Sequence, residues 1–131
     1  MTLDWIAVIA AGLSAFLLGG LWYSPLLFAK AWQKHAGLSD EVLKGGNPAV
    51  IFGVGTILSI VAAAVFSLFL GPSPELKFAV STGAAAGLCW VAASFAINYL
   101  FERRSLVLFL INGGYHTLQF VLYGLILSLL G

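Results

Sequence analysis

The chain has 131 residues, of which 61% are hydrophobic and 8% charged, with a mean hydropathy of +1.04. A soluble domain carries roughly a quarter charged residues, so this composition excludes a water-soluble fold and points to a protein that lives in a lipid bilayer. A net charge of +1 without any basic run excludes a nucleic-acid surface, and the single cysteine, Cys89, excludes a disulfide or a thiolate metal cluster within one chain.

Crossing a hydrocarbon core of ~30 Å takes about 20 apolar residues, so 131 residues hold about four or five spans and no separate soluble domain. The first apolar stretch, about 5–23, is preceded by Asp4 rather than by the basic residues of a secretory leader, and it reads as a retained span. Ser24 and Pro25 stop it, because the residue before a proline is pushed out of the helical region. Pro25 is placed to start a short helix over about 25–36. There Phe28 and Trp32 are spaced by four, as are Lys30 and Lys34 on another face, which suits a helix lying in the membrane interface.

A polar loop, Gly37 to Gly46, follows, with Ser39 capping a turn that begins Asp40-Glu41. Asn47 caps and Pro48 opens the second span, about 48–70, which Gly71-Pro72-Ser73-Pro74 ends. The third span covers about 76–101, Glu102-Arg103-Arg104 form a tight corner, and the fourth covers about 105–130. Short connections make consecutive spans antiparallel neighbours. The expected fold is therefore an all-α integral membrane protein, one domain over 1–131: a four-transmembrane-helix bundle with a short cytoplasmic interfacial helix after span one.

Lys30, Lys34, Lys44, Arg103 and Arg104 lie in the first and third connections, against Lys77 alone on the other side. The positive-inside rule then puts connections 24–47 and 102–104 in the cytoplasm and both termini outside. Small residues must carry the packing, since lipid offers no hydrophobic force between helices. Ala7, Ala11, Ala15 and Gly19 recur every four residues in the first span, and Gly55, Ser59, Ala63 and Ser67 in the second. Gly83 and Gly87 form a G-x-x-x-G spacing in the third, read as packing within the monomer, with a homodimer as the other use.

Polar groups inside the hydrocarbon layer are costly and need partners, so they point to function. In the fourth span Asn112, His116, Gln119 and Tyr123 fall within an arc of about 60°. Counting ~1.5 Å per residue from Ser105 puts Asn112 about 10 Å and His116 about 16 Å deep. In the third span Gly83, Gly87, Trp90, Ser94 and Asn98 share about 80° of the helix surface, with Trp90 about 18 Å from Glu102. These two faces are expected to meet, placing the Trp90 indole N–H near His116 or Gln119. Three readings of His116 stand: a neutral histidine tying helices together, a proton-accepting or ligand-binding group, and a metal ligand. The metal reading is weakest, because the other histidine, His35, lies in the interfacial segment. Trp22, Tyr23 and Trp32 fit an aromatic belt.

The run Gly19-Gly20-Leu21-Trp22-Tyr23-Ser24-Pro25-Leu26-Leu27-Phe28, with Trp32, Gly45-Gly46-Asn47-Pro48, Asn98-Tyr99-Leu100-Phe101-Glu102 and Leu110-Ile111-Asn112-Gly113-Gly114-Tyr115, resembles a bacterial membrane family classed as a domain of unknown function, family 1761. The combination of W-Y-S-P, N-Y-L-F-E and I-N-G-G-Y is specific and the resemblance covers nearly the whole chain; Ala29 departs from the glycine common in the family after the Phe. The resemblance implies a four-span fold and marked positions, not an activity. With the derived topology, Trp22, Tyr23, Ser24, Pro25, Asn47, Pro48, Asn98, Glu102 and Asn112 map to the cytoplasmic half, where they are expected to converge on one pocket.

The leading expectation is a small inner-membrane protein that binds a lipid-like or amphipathic small molecule in a cytoplasm-facing polar and aromatic cavity. Its ligand-binding candidates are Trp22, Tyr23, Trp90, Asn98, Asn112, His116 and Gln119, with Ser24, Pro25, Asn47, Pro48, Gly83 and Gly87 as structural positions. A pocket that is mostly apolar with a few polar groups fits such a ligand. The alternatives are a small proton-linked transporter acting as a dimer and a structural subunit of a membrane assembly. No Asp or Glu lies within a span to carry a coupling proton, and no H-E-x-x-H, G-x-S-x-G or acid–histidine pair at one depth points to an enzyme. No cofactor, metal or catalytic residue is expected, and the partners are the lipid bilayer and the amphipathic ligand.

Overall fold

The computed structural model describes residues 3–131. The first helix, α1 (Trp5–Trp22), starts where the Asp4 carboxylate accepts the Ala7 N–H, satisfying one of the free donors of a helix start. It ends in a turn: Ser24 Oγ donates to the Leu21 carbonyl, Phe28 N–H to Trp22 O and Ala29 N–H to Ser24 O. Helical geometry resumes only at α2 (Ala29–Ala36). Pro25 therefore sits inside the turn rather than opening the helix, because the carbonyls of residues 22 and 24 are spent on closing the turn. Gly37, at φ +73°, ends α2 in the left-handed region that glycine adopts at no steric cost.

A single turn, α3 (Asp40–Lys44), is capped by Ser39 Oγ. The next helix, α4 (Pro48–Leu70), has Pro48 in its first turn, and Asn47 Oδ1 accepts from both Ala49 and Val50 N–H. Residues 48–54 are exposed, with Phe52 packed edge-on against Phe16 of α1, so the cap carries much of this start. Asn47→Ala should cost about 1 kcal/mol and lower the thermal unfolding midpoint in detergent by a few degrees, with Asn47→Ser close to wild type.

The third span is continuous over Leu76–Glu102 but is built of α5 (Leu76–Ala86), a π-helical turn (Gly87–Ala92) and α6 (Ala93–Glu102). Arg103, at φ +59°, makes the corner, and Ser105 Oγ caps α7 (Leu106–Leu130) by accepting the Leu108 N–H. The described residues are all-α, with four helices among them long and apolar enough to cross a membrane: α1, α4, the α5–α6 span and α7.

Small residues make up much of its interior, beside Phe66, Tyr123 and a few large aliphatic side chains, while many other large apolar side chains point outward, the distribution expected where the solvent is lipid. Ala7, Ala11, Ala15, Ala63 and Ala79 are fully buried, while Leu100 and Phe101 are about 80% exposed or more. The α1 helix packs against α4 on one side and α7 on the other, and α5 with the π-turn packs along α7. The contacts are close. A Cβ on Gly12 would lie 2.7 Å from the Ile60 side chain, one on Gly87 2.7 Å from Thr117 Cα, and those on Gly83 and Gly124 would overlap the carbonyl oxygens of Phe120 and Ala79. The G-x-x-x-G of α5 is thus used within the protomer, against α7. By contrast α4 meets α7 only through its middle and second half, where Phe66 packs edge-on to Phe120 and Ser59 reaches Tyr123.

Candidate functional site

Three of the four polar residues of the α7 stripe form one chain of hydrogen bonds. His116 Nδ1 lies 2.6 Å from Gln119 Oε1, Gln119 Nε2 donates to Tyr123 Oη at 2.6 Å, and Tyr123 Oη donates to the Ser59 carbonyl at 2.9 Å. Ser59 Oγ, 2.8 Å from Tyr123 Oη, also donates to Gly12 O at 2.9 Å, so the chain ties α7 to α4 and α1. Gln119, Tyr123 and Ser59 are all buried, and Phe95 stacks on the His116 ring at 5.0 Å. A helix whose other residues are apolar can hold these groups because each is paired inside the protein.

The fourth member, Asn112, sits nearer the end of the bundle that carries Lys30, Lys34, Lys44, Arg103 and Arg104. It accepts from Tyr23 Oη at 2.6 Å and donates to Tyr99 Oη at 2.7 Å, bridging the end of α1 to α6. Beside it Trp22 Nε1 donates to the Ile111 carbonyl at 2.9 Å. Phe28 packs on Trp22, and Trp32 and Tyr115 pack on Tyr23. Burial raises the Tyr23 phenol well above its ordinary value, with Tyr115 and Tyr99 adding to the shift, which keeps it a protonated donor just beyond the end of α1. This cluster is a clamp. It seats the turn at Ser24-Pro25 on α7 and fixes where α1 ends. Asn47 and Pro48 take no part in it and serve to start α4.

Between the clamp and the polar chain, α4 diverges from α7 and leaves a cavity of about 580 Å³. Phe16, Gly19, Gly20 and Tyr23 of α1 form one wall, Ile51, Phe52, Gly55, Leu58 and Ser59 of α4 another, and Tyr115, His116 and Gln119 of α7 the floor. Among the described residues no charged one lines it. The exposed first half of α4 makes its rim, so it opens sideways between helices rather than only toward the polar surface. His35 is elsewhere: its Nδ1 lies 2.8 Å from Ser105 Oγ, at the start of α7. Among the described residues no group of three His, Cys, Asp or Glu side chains is placed to hold a metal ion.

Trp90 and Asn98 do not join this site, and the expectation that Trp90 faces His116 is corrected. Trp90 is 66% exposed, Asn98 is exposed, and neither side chain has a hydrogen-bond partner among the described residues. The cause is the π-turn at Gly87–Ala92. Widening the hydrogen bond from i→i−4 to i→i−5 inserts one residue into the turn and shifts everything after it by one position on the helix face. Gly83 and Gly87, before the shift, face α7 as expected. After it, the positions facing α7 move from Ser94 and Asn98 to Phe95 and Tyr99, which stack on His116 and bond Asn112. Phe95 carries no sequence signal for this role, since nothing in Gly87-Leu88-Cys89-Trp90 announces a π-turn. Tyr99 and Tyr115 stand in the N-Y-L-F-E and I-N-G-G-Y motifs, and Ser59 in the small-residue row of the second span, so those three were within reach of a sequence reading.

Comparison with protein families finds one whose model, described as "Protein of unknown function (DUF1761)", matches residues 6–128. Comparison with curated proteins and with solved structures finds no match.

Proposed function

The chain belongs to the DUF1761 family of proteins of unknown function, and from that premise we propose that it binds a lipid-like or other amphipathic molecule in the cavity between α1, α4 and α7. The observation that carries this reading is the composition of the cavity: apolar and aromatic walls, a short row of uncharged polar groups on one side, and a sideways opening along α4. A volume of about 580 Å³ lies in the range of small-molecule sites, ~300–1,000 Å³, that are mostly apolar and use a few polar groups to fix orientation. An acyl or prenyl chain enters such an opening from the bilayer without crossing water. Five basic residues at the clamp end against one at the other support a topology with that end in the cytoplasm, in the inner membrane of a bacterium. Since Gly83 and Gly87 are occupied against α7, the site needs no second copy.

Gly20 supplies the test, because it lines the cavity and a Cβ there would meet open space. Native mass spectrometry of protein extracted in mild detergent should show one retained amphipathic molecule per chain. Gly20→Phe, whose Cβ starts in open space, should cut the retained fraction at least about tenfold, a loss of ~1.4 kcal/mol, with thermal stability little changed. Retention that the variant leaves unaltered would place the molecule elsewhere.

A further inference from the structure

We propose that the ligand of this cavity is selected for an uncharged hydrogen-bond donor, a hydroxyl head on an apolar chain, and against phospholipid headgroups, fatty acids and amphipathic amines. This rests on the cavity being a ligand site and goes further by naming the chemical class of its occupant.

Two main-chain carbonyls, which accept hydrogen bonds and never donate, fix where the hydrogens of the site lie. Tyr123 Oη lies 2.9 Å from the Ser59 carbonyl, so its hydrogen is spent there, and toward Gln119 it accepts from Nε2 at 2.6 Å. Gln119 then presents Oε1 to His116 at 2.6 Å, so His116 Nδ1 carries the hydrogen and Nε2 of the neutral ring is left with a bare lone pair. Nε2 has no partner in the protein, and among the described residues no buried side-chain nitrogen or oxygen is left unpartnered, so Nε2 is not sealed inside. His116 lines the cavity, so an incoming donor reaches that lone pair from there.

The second carbonyl is that of Ala15. It accepts the Tyr115 hydroxyl at 2.8 Å, which leaves Tyr115 Oη only lone pairs to offer, next to the His116 ring at 4.9 Å between centroids. Ser59 Oγ has its hydrogen committed to Gly12 O or Tyr123 Oη, and Tyr23 Oη donates to Asn112. Apart from the second hydrogen of the Gln119 amide, the polar hydrogens on the floor are therefore committed, and what faces the cavity mainly accepts. A hydroxyl donates into that arrangement directly. A carboxylate or phosphate brings more acceptors to a floor that offers one amide N–H and no cation to offset its desolvation, and a site built for a donor rejects the analogue that lacks it because its own acceptors stay unpaired. An ammonium head would find acceptors but no carboxylate to offset its desolvation, since no charged side chain lines the cavity.

Four probes with one oleoyl-length chain separate these heads: monooleoylglycerol, methyl oleate, oleate and oleylamine, titrated by native mass spectrometry against the full chain in a mild non-ionic detergent. Monooleoylglycerol should bind about tenfold or more tightly than each of the other three, the loss of one good hydrogen bond in a dry site. His116→Phe should reduce its advantage over methyl oleate to about twofold while methyl oleate itself changes little. Tyr115→Phe, which keeps the ring and removes the other acceptor, should give an intermediate loss and serves if His116→Phe fails to fold. Equal binding of monooleoylglycerol and methyl oleate, or tightest binding by oleate or oleylamine, would overturn the selection for a neutral donor and leave the cavity as a ligand site. Failure of all four to bind would overturn both.

Discussion

Gly83→Leu should detach the third span from the fourth. A Cβ at this position overlaps the Phe120 carbonyl oxygen and comes within 3.2 Å of Val121 Cα, so the obstacle is backbone that cannot rotate away. The two helices must separate along their whole contact, and the expected loss is about 3 kcal/mol or more, seen as a large fall in the thermal unfolding midpoint in detergent. Gly124→Leu meets the Ala79 carbonyl from the other side of the same seam and should behave alike. Gly53→Leu, where a Cβ meets nothing within 4 Å, is the control; it should be neutral or slightly stabilising, since glycine in a helix interior costs about 1 kcal/mol relative to better helix formers. Equal losses at Gly83 and Gly53 would mean that the α5–α7 seam does not hold the bundle together.

Tyr123→Phe should be the most damaging change that adds no volume. The hydroxyl it removes is fully buried and joins Gln119, Ser59 and through them Gly12. Its loss leaves the Gln119 amide hydrogens without an acceptor in a dry interior, at a cost of about 2 kcal/mol. The signature is the asymmetry between single and double variants. Adding Gln119→Leu removes the orphaned amide, and the His116 Nδ1 it leaves unpaired is the same one that Gln119→Leu alone leaves, so the loss in Tyr123→Phe/Gln119→Leu should be well below the sum of the two single losses in a denaturation series. Additive losses would show that the groups do not act as one network.

Most of the architecture follows from signals whose physics is local. Apolar stretches bounded by Asp4, Asn47-Pro48, Gly71-Pro72 and Ser105 became α1, α4 and the two later spans, because caps and prolines act on the residues beside them. The polar stripe of α7 was equally legible, since α7 is α-helical throughout and a period of 3.6 residues holds along it. The same periodicity failed in the third span at one place, the π-turn, and the error then carried to every later residue of that helix. It moved the site from Trp90 and Asn98 to Phe95 and Tyr99, one position further along. The start of α2 was misplaced for a related reason: Pro25 permits a helix to begin, but the turn closed by Phe28 and Ala29 N–H claims the carbonyls first. The cavity itself was not legible. It lies between α1, α4 and α7, whose placement rests on contacts such as Gly12 against Ile60 and Phe66 against Phe120, between residues far apart in the chain.

The π-turn also explains why Trp90 can be spared from the site. It faces outward with Leu88, where both meet bulk lipid, and this gives an internal reference for the central claim that an amphipathic molecule occupies the cavity over His116. The most direct measurement is of nuclear Overhauser contacts from unlabelled acyl chains to labelled protein in lipid nanodiscs. Chain contacts are expected at the His116 ring and at Phe16 and Phe52, alongside the contacts that Trp90 and Leu88 make with the bilayer. Chain contacts at Trp90 and Leu88 alone, with only water reaching His116, would contradict it.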